Sequence, residues 1–328
     1  MPGRARTATE KGDVSVSNLE VSIGRLKMKN PIMPASGTFG EEMAKVLDFN
    51  QLGALLPKSI TKEVRKGNPT PRICETTGGM INSIGIQSKG LDYYKKVTVP
   101  FYGQFTSPLI SSISADSITE FAEVSEEIAA MPEVAALELN ISCPNLKNNG
   151  LAFGMDELVT RKLVNGVRLV TDKPIIVKLS PNVTNIGVIA KAAEEGGADA
   201  LTVANTFIAM SIDVHTRKPK IGNVIGGISG PALKPLVIRL IHQVYQVSSL
   251  PIIGCGGVMT GEDAIEMMLA GATAVQVGTA SFIHPTAMIT IIKEIEDYMK
   301  QYKIEHVTDL IGQVNLGGSN TNGVGSCN

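Results

Sequence analysis

Four polar side chains in this sequence each directly follow a short run of apolar residues: Lys58, Asn140, Lys178 and Asn205. Burying an unpaired ammonium is costly, so two lysines in such positions indicate a polar binding site more than an idle core. For one lysine alone, pairing with a carboxylate is an open alternative. A fixed cation stabilises a redox cofactor that gains negative charge on reduction, and asparagine offers both a donor and an acceptor. The four residues therefore predict a site for a polar heterocycle with an anionic substituent.

Cys143 lies three residues after Asn140, in the segment Asn140-Ile-Ser-Cys-Pro-Asn145, between an apolar run and a helical pattern. A thiol titrates not far above neutral pH, so an activated thiol can accept a proton from a substrate. The rival interpretation, a covalent nucleophile, usually needs a histidine base. None of the four histidines stands at the end of a predicted strand; they are His215, His242, His284 and His306. We therefore expect Cys143 to act as a general base.

Glycines stand at the ends of two further apolar runs, in Gly254-Cys-Gly-Gly257 and in Gly278-Thr279. Glycine lets a phosphate group approach backbone N–H groups closely. In barrels of alternating strands and helices, the loops after the seventh and eighth strands form the usual phosphate site. Because these glycines follow the last two apolar runs of the chain, we expect them to bind a phosphate-bearing cofactor.

The elements that must position these residues are eight short apolar runs that alternate with longer helical patterns. This order demands parallel strands joined by crossover helices. Eight strands covered on both sides predict an α/β fold, a closed (β/α)8 TIM barrel, with its active site at the carboxyl ends of the strands. A doubly wound sheet is disfavoured because no Gly-x-Gly-x-x-Gly turn follows the first run. The predicted strands are Ile32–Ala35, Ala54–Pro57, Leu109–Ile113, Ala136–Leu139, Ile175–Val177, Leu201–Ala204, Ile252–Gly254 and Ala274–Val277.

Helical patterns, a hairpin and two long connections complete the predicted architecture. Alternation of apolar and polar residues over Val14–Met28 predicts an N-terminal β-hairpin. The long connections, Ser59–Pro108 and Asn205–Pro231, are expected to be inserted loops over the C-terminal mouth of the barrel. The predicted helices are Ser117–Met131, Glu157–Val170, Val183–Glu195, Leu233–Val247 and Gly261–Leu269.

Length and composition fit one globular domain and disfavour several classes of protein. The 328 residues are 43% hydrophobic and 19% charged, so we expect residues 14–316 to form one barrel domain between flexible tails, 1–13 and 317–328. The net charge of −1 offers no basic field for nucleic acid. No apolar run reaches the ~18 residues of a membrane span. No apolar stretch follows Arg4 and Arg6, so a secretory signal is not expected.

The cysteine pattern gives expectations about metals and location. Cys74, Cys143, Cys255 and Cys327 are widely spaced, and no Cys-x-x-Cys pair occurs. The chain is therefore expected to hold neither a metal ion nor an iron–sulfur cluster of its own. Reduced thiols indicate a cytoplasmic protein. Cys74 and Cys255 are expected to be small buried hydrophobes, the ordinary role of a free cysteine.

The segments that carry these residues resemble, in the same order, those of a known family, the class 1 dihydroorotate dehydrogenases. The segment from Asn140 to Asn145 is similar to the active-site loop of that family. The resemblance runs from about Asn30 to Gly312, nearly the whole chain. Its other segments are Pro34-Ala-Ser-Gly-Thr-Phe-Gly40, Lys58-Ser-Ile-Thr61, Gly67-Asn-Pro-Thr-Pro-Arg72, Ile81-Asn-Ser-Ile-Gly-Ile-Gln87, Val177-Lys-Leu-Ser-Pro181, Asn205-Thr206, Gly226-Gly-Ile-Ser-Gly-Pro231, Gly256-Gly257 and Gly278-Thr279.

The resemblance implies FMN in the barrel mouth and oxidation of (S)-dihydroorotate to orotate, a step of de novo pyrimidine biosynthesis. Cys143 would remove the C5 proton while hydride passes from C6 to flavin N5, and Lys58 would face both the flavin and the substrate carboxylate. The residues similar to those that hold FMN are Ser36, Lys58, Ser59, Ser112, Asn140, Lys178, Ala204, Gly230, Gly256, Gly257, Gly278 and Thr279. The residues similar to those that bind the substrate are Lys58, Asn82, Ser83, Ile84, Gly85, Ile86, Asn140, Asn145, Asn205 and Thr206.

Two types of class 1 enzyme differ in their electron acceptor. The A type is a homodimer that reduces fumarate, whereas the B type pairs with a subunit that carries FAD and a [2Fe–2S] cluster and passes electrons to NAD+. Thr216-Arg-Lys-Pro219 and the tail between Ile295 and Gly312 resemble the B type, which implies a homodimer within a heterotetramer. Ser112 is more similar to the A type, and Cys255 replaces a more usual apolar residue. An A-type enzyme therefore stays an alternative.

Two other functions are alternatives to dihydroorotate oxidation. Dihydropyrimidine dehydrogenases share the barrel and the Ser-Cys-Pro motif but reduce uracil or thymine, which lack a carboxylate. Lys58 together with Asn82–Ile86 favours a carboxylated substrate. The second alternative, a flavin-binding scaffold without catalysis, is disfavoured by the presence of Cys143 and of both lysines.

Overall fold

Seven buried parallel strands form the central sheet of the protein. The computed structural model describes residues 17–142 and 152–317. In chain order, the strands in these ranges are β1 (Val21–Ile23), β2 (Leu26–Met28), β3 (Ile32–Pro34), β4 (Ile73–Thr76), β5 (Gly79–Asn82), β6 (Leu109–Ile113), β7 (Val134–Asn140), β8 (Ile175–Lys178), β9 (Ala200–Val203), β10 (Phe207–Ala209), β11 (Ile212–Asp213), β12 (Lys218–Pro219), β13 (Gly226–Ser229), β14 (Ile252–Cys255) and β15 (Ala272–Val277). The central sheet has the order β3-β15-β14-β9-β8-β7-β6, and its neighbouring strands are parallel.

An extended segment, residues 53–60, joins the two edges of the central sheet. At one end the Gly53 N–H donates to the carbonyl of Ile32 on β3, at 2.8 Å. At the other end the Ile60 N–H donates to the carbonyl of Ser112 on β6, also at 2.8 Å. Together with its flanking helices the sheet therefore forms an α/β TIM barrel, which confirms the predicted fold class.

The predicted strand Ala54–Pro57 is a partial exception. The segment that contains it makes isolated parallel bridges, at Leu55 and Ile60, instead of a regular ladder. Pro57 has no N–H to donate, and proline is excluded from the interior of a hydrogen-bonded ladder. The other seven predicted strands are present, with ends within three residues of those expected.

Helices pack around the barrel and join its strands. The five predicted helices are present, and each boundary lies within three residues of its predicted position. In chain order the helices are α1 (Leu91–Tyr93), α2 (Val99–Tyr102), α3 (Ile118–Ala129), α4 (Glu157–Arg168), α5 (Ile186–Glu195), α6 (Lys234–Tyr245), α7 (Gly261–Leu269), α8 (Ala280–Ile283) and α9 (Ala287–Tyr302). A π-helical turn, Tyr94–Thr98, links α1 to α2, and short 3₁₀ helices are Glu41–Lys45, Phe49–Gln51, Phe153–Met155, Pro231–Leu233 and Val307–Leu310.

Local sequence explains where these helices begin and which side they bury. Helix α7 begins with a capping box, in which Thr260 and Asp263 each accept from the other's backbone N–H. Helix α3 buries Phe121, Val124 and Ile128, which recur at the spacing of one helical face. The covered face of each helix therefore follows directly from its apolar period.

The N-terminal hairpin is shorter than the predicted Val14–Met28. Strands β1 and β2 pair antiparallel, with Val21 opposite Met28. Gly24 in the turn has φ +56°, a conformation that glycine adopts without a Cβ penalty. Residues 14–16 of the predicted hairpin lie outside the described ranges, as do the whole predicted first tail, 1–13, and all but one residue of the second, 317–328.

The two insertions form one additional sheet. Strands β4 and β5 come from the first insertion, β10 and β13 come from the second, and their order is β10-β13-β5-β4 with antiparallel neighbours. Thr279, just after β15, donates from Oγ1 to Oγ of Ser229 at the end of β13, at 2.9 Å. This contact sets the extra sheet against the carboxyl ends of the barrel strands, as expected for the insertions.

Candidate active site

The asparagines and one lysine predicted from strand ends come together at the C-terminal mouth. Asn140 and Lys178 are the last residues of β7 and β8, and they lie opposite each other in the ladder. Asn205, two residues after β9, donates from Nδ2 to Oδ1 of Asn140 at 3.1 Å. Parallel strands place their carboxyl ends at one edge, which explains why residues so distant in sequence meet here.

Lys178 is buried, with 4% of its surface exposed. Its Nζ donates to Oε1 of Gln276 at 2.8 Å and lies 4.0 Å from Oε1 of Glu138. Burial disfavours the charged form, but Cys255 and Glu138 outweigh it and hold the pKa of Lys178 above its ordinary value. Lys178 therefore pairs with a carboxylate, which is the alternative that the sequence left open. It is also the last residue of a barrel strand, the position expected of a ligand-binding residue.

Lys58 approaches the loop that follows β3. A Cβ atom placed on Gly37 would lie 3.6 Å from Nζ of Lys58, so the ammonium lies beside the backbone next to Ser36. The neighbouring residue, Ser59, shares a hydrogen bond with Ser112, with 2.8 Å between the two Oγ atoms. Both hydroxyls are buried, so this pair fixes residues 58–59 against β6.

The predicted phosphate-binding glycines lie at the ends of β14 and β15. Gly256 and Gly257 have φ values of +130° and +86°, in which a side chain would be strained. A Cβ atom at Gly257 would lie 2.6 Å from the backbone nitrogen of Lys234, where α6 begins. Gly278 precedes the short helix α8, which gives the strand–loop–short helix arrangement typical of barrel phosphate sites.

The predicted substrate residues form a chain of contacts from the extra sheet to the barrel. Asn82, at the end of β5, donates from Nδ2 to the carbonyl of Gly227 at 3.3 Å. Thr206 packs on Gly227 so closely that a Cβ there would lie 2.0 Å from Thr206 Oγ1. The Thr206 N–H donates to Oδ1 of Asn205 at 2.9 Å, and Asn205 in turn contacts Asn140.

A turn over residues 83–86 borders this chain of contacts. Asn68 fixes the turn, because its Nδ2 donates to the Ser83 carbonyl and its N–H donates to the Ile84 carbonyl, each at 3.0 Å. Gly85 and Ile86 both have positive φ. The Ser83 hydroxyl is buried and has no hydrogen-bond partner among the described residues, so it is available to a ligand.

Several residues at the mouth were not predicted from the sequence. Glu138, Thr202 and Gln276 are polar side chains inside strands that are otherwise apolar, and all three are buried. Asn182 joins the end of β8 to the second insertion, since its Nδ2 donates to the Thr206 carbonyl at 3.1 Å. The signal in the sequence that could have revealed the first three is a polar residue interrupting a buried strand.

The remaining predicted residues are Ala204, Gly230, Asn145 and the cysteines, and some of them lie outside the residues that the structure describes. Ala204 donates its N–H to the Cys255 carbonyl at 3.1 Å, and Gly230 precedes the 3₁₀ turn before α6. Cys255 is buried as expected, whereas Cys74 on β4 is only half-buried because β4 is the edge strand of the extra sheet. The predictions for Cys143 and Asn145 concern residues 143–151, which lie outside the described part of the chain.

The described ranges contain neither a metal-binding cluster of side chains nor a membrane-spanning helix. Within residues 17–142 and 152–317, no three His, Cys, Asp or Glu side chains are grouped so that they could hold a metal ion. The helices in the same ranges are all too short or too polar to span a membrane.

Comparisons with known proteins give the family of this chain. The model of the dihydroorotate dehydrogenase family matches residues 18–299, so the chain belongs to this family of oxidoreductases. It is 47% identical over 299 residues to the dihydroorotate dehydrogenase B (NAD(+)) catalytic subunit of Alkaliphilus metalliredigens, covering 90% of this chain and 99% of that protein. Proteins of the same name from Geobacter sp. strain M21 and Geobacillus kaustophilus are 46% and 48% identical, each over 91% of this chain and over 99% and 96% of theirs.

Proposed function

We propose that this enzyme oxidises (S)-dihydroorotate to orotate with FMN bound in the barrel mouth. The observation that carries the proposal is the buried ammonium of Lys178 at the end of β8, next to the contacts from Asn140 through Asn205 to Thr206. A fixed positive charge beside donors and acceptors suits a flavin ring and a polar pyrimidine. The similarity to proteins named dihydroorotate dehydrogenase B supports the same reaction.

The residues at the mouth fit FMN. Gly256 and Gly257 have positive φ, and Gly257 packs its backbone on the start of α6, so the main-chain N–H groups at this point are the candidates to bind the phosphate. Lys178 supplies a cation for the ring, and the buried Ser59–Ser112 pair lines the opposite side of the barrel from β14. When bound, FMN supplies the chemistry that side chains lack, acceptance of a hydride equivalent.

The substrate would lie between Lys58 and the contacts of the extra sheet. Dihydroorotate carries a carboxylate, which an ammonium such as Lys58 can bind, and an imide, which asparagine amides can match. Asn82 and Asn205 belong to one chain of contacts, so they are held in a fixed relation to each other. Dihydrouracil lacks the carboxylate and would leave Lys58 without that partner.

Cys143 is the proposed general base. Removal of the C5 proton by a thiolate, with loss of hydride from C6, leaves the C5–C6 double bond of orotate and one protonated thiol. The segment from Asn140 to Asn145 supports the assignment because it follows the strand-end asparagine that contacts Asn205. A lone base suffices for this step, since no leaving group has to be protonated.

A substrate comparison tests the proposed reaction. The purified protein is expected to be yellow, and its flavin should be reduced by dihydroorotate in a single turnover at least ~100-fold faster than by dihydrouracil. A faster reduction by dihydrouracil would favour the dihydropyrimidine alternative. A colourless protein that binds no added FMN would refute the cofactor assignment.

For electron transfer we propose a B-type assembly: a homodimer of this chain with a partner subunit that carries FAD and [2Fe–2S] and reduces NAD+. The names of the relatives, catalytic subunits of NAD(+) enzymes, support a partner. The second insertion also supports subunit contacts, because it exposes several apolar side chains that a partner surface would cover. Its exposed apolar residues are Ile208, Met210, Ile212, Val214, Val224 and Ile225.

Co-purification from the native source tests this assembly. The expected complex carries iron and FAD and reduces NAD+ with dihydroorotate. A homodimer without a partner that reduces fumarate would instead establish the A type, which Ser112 favours. Unpaired Cys74 and Cys255 support placing the assembly in the cytoplasm, which fractionation of the source cells would check.

A further inference from the structure

A carboxylate and an ammonium share the interior of the barrel near its mouth. Glu138 on β7 has no exposed surface, and Lys178 at the end of β8 is 4% exposed. Their atoms Oε1 and Nζ are 4.0 Å apart. Removing one charge from water is costly unless an opposite charge or hydrogen bonds compensate for it. Each of the two residues therefore depends on the other and on the polar groups between them.

Gln276 on β15 connects the two charges. Its Oε1 accepts from Nζ of Lys178 at 2.8 Å, and its Nε2 donates to Oε2 of Glu138 at 2.6 Å. A side-chain amide has one accepting and one donating end, so this pair of bonds defines its orientation. Thr202 adds a second donor to the same carboxylate oxygen, at 3.1 Å. The second oxygen, Oε1, has no hydrogen-bond partner among the described residues and faces the ammonium.

The network leaves the ammonium with a single carboxylate for compensation. Cys255 on β14 also contacts Lys178, and burial raises the pKa of its thiol. The hydrogen bonds from Thr202 on β9 and Gln276 on β15 hold the carboxylate of Glu138, on β7, in place beside Lys178. The negative charge of Glu138 thus offsets part of the positive charge that Lys178 presents to a ligand at the mouth.

We infer that Glu138 and Gln276 are positioning residues of the flavin site: Gln276 holds the Lys178 ammonium at the mouth, and Glu138 limits how strongly that ammonium favours the reduced cofactor. The inference rests on the proposed function, in which FMN occupies the mouth. Reduced flavin carries negative charge, so it competes with Glu138 for the same ammonium. The flavin potential is therefore set partly by a carboxylate in the barrel interior.

Glu138→Gln in the FMN-loaded enzyme removes the competing charge and nearly keeps the shape. We expect the ratio of affinities for reduced over oxidised FMN to rise at least ~10-fold, because a unit charge in a poorly solvated interior acts over several ångströms. For a two-electron couple a tenfold change is about 30 mV, here towards positive potential. Reductive titration against a reference dye measures it.

Gln276→Met removes the connection without changing the charge, and it should have the opposite effect. Without the amide, Nζ of Lys178 can come closer to Glu138 than the 4.0 Å of the parent, which draws the ammonium away from the mouth. The expected result is a more negative flavin potential and FMN binding that is at least ~10-fold weaker. Relative to the parent, the flavin potential should therefore shift in opposite directions in the two variants. A loss of packing alone does not produce this result.

Glu126→Gln is the matched control, because it removes one carboxylate from the exposed face of α3. Solvent and salt screen an exposed charge, so the potential should equal that of the parent. Unchanged potentials in both Glu138→Gln and Gln276→Met, or a negative shift in Glu138→Gln, would overturn the inference. If Glu138→Gln fails to fold, the sign of the shift in Gln276→Met decides by itself.

The same experiment separates this inference from the proposed function. A parent protein that binds FMN and is reduced by dihydroorotate, with variants of unchanged potential, leaves the proposed function standing and refutes the positioning role. A parent protein that binds no FMN refutes both, because the positioning role requires the cofactor.

Discussion

Replacing Lys178 with methionine removes the buried ammonium while keeping a side chain of similar length. In the parent protein Nζ donates to Gln276 at 2.8 Å and lies 4.0 Å from the Glu138 carboxylate. In Lys178→Met the carboxylate stays fully buried and keeps its bonds from Thr202 and Gln276 but loses its counter-charge. The variant is therefore expected to unfold more easily even without a cofactor.

The size of the effect follows from the burial of both groups. Removing one partner of a buried ion pair costs about 3–5 kcal/mol, because the remaining charge is uncompensated. For a chain of 328 residues, the entropy of unfolding near the melting temperature is roughly 0.7 kcal/mol per kelvin. The expected loss of stability thus lowers Tm by about 4–7 °C.

Thermal unfolding of FMN-free protein, followed by circular dichroism, measures this change without a contribution from cofactor binding. Lys162→Met on the exposed side of α4 is the matched control and should keep the parent Tm within about 1 °C. The double variant with Glu138→Gln should regain most of the loss, since neither charge is then buried. A parent-like Tm for Lys178→Met, or a double variant no more stable than the single one, would refute the reasoning.

Substitutions at three further positions address the base, the substrate contacts and the pH dependence of stability. Cys143→Ala should keep FMN but reduce flavin at least ~100-fold more slowly with dihydroorotate at neutral pH, and Cys143→Ser should recover only at higher pH. An unchanged stopped-flow rate in Cys143→Ala would contradict the base assignment. Gly227→Ala would bring a Cβ to 2.0 Å from Thr206 Oγ1, so KM for dihydroorotate should rise at least ~10-fold with normal FMN content; a parent-like KM would argue against these substrate contacts. Burial raises the pKa of Glu194, but hydrogen bonds from Ser249 and Lys191 outweigh it and lower the pKa to about 2. The stabilisation by Glu194 is then complete above about pH 4.5 and is lost as the pH falls towards 2. Urea unfolding of Glu194→Gln should show a loss of ~1 kcal/mol at pH 7, after discounting for solvent, and a clearly smaller loss at pH 2, where the carboxyl is about half protonated; equal losses at both would contradict the shift.

Much of the fold follows from patterns that are local in the sequence. A strand buried on both faces has to be continuously apolar, and a crossover helix has to be apolar on one face, so both can be recognised without knowing their neighbours. Helix α7 was predicted with its observed ends, Gly261 and Leu269, because its cap residues and its apolar period agree. The strand-end residues Asn140, Lys178 and Asn205 were found for the same reason, since each directly follows such a run.

Tertiary structure decided which of these residues touch. The extra sheet pairs β5 with β13, so Asn82 meets Gly227, a contact between residues 145 apart in the chain that no local pattern specifies. The strand predicted at Ala54–Pro57 makes an isolated bridge at Leu55 instead of a regular ladder. Pro57 lacks an N–H, and the effect of that loss depends on which strands lie beside it.

Lys178 shows the division most clearly. Its position after an apolar run determined that a lysine would stand at the end of a barrel strand, and left open whether it faces a ligand or a carboxylate. Only the register of β7, β8 and β15 brings Glu138 and Gln276 to Lys178. Gln276 is 98 positions from Lys178 and 138 positions from Glu138 in the chain, and it bonds to both. A side-chain contact between strands depends on how those strands align in space, which the composition of each strand does not contain.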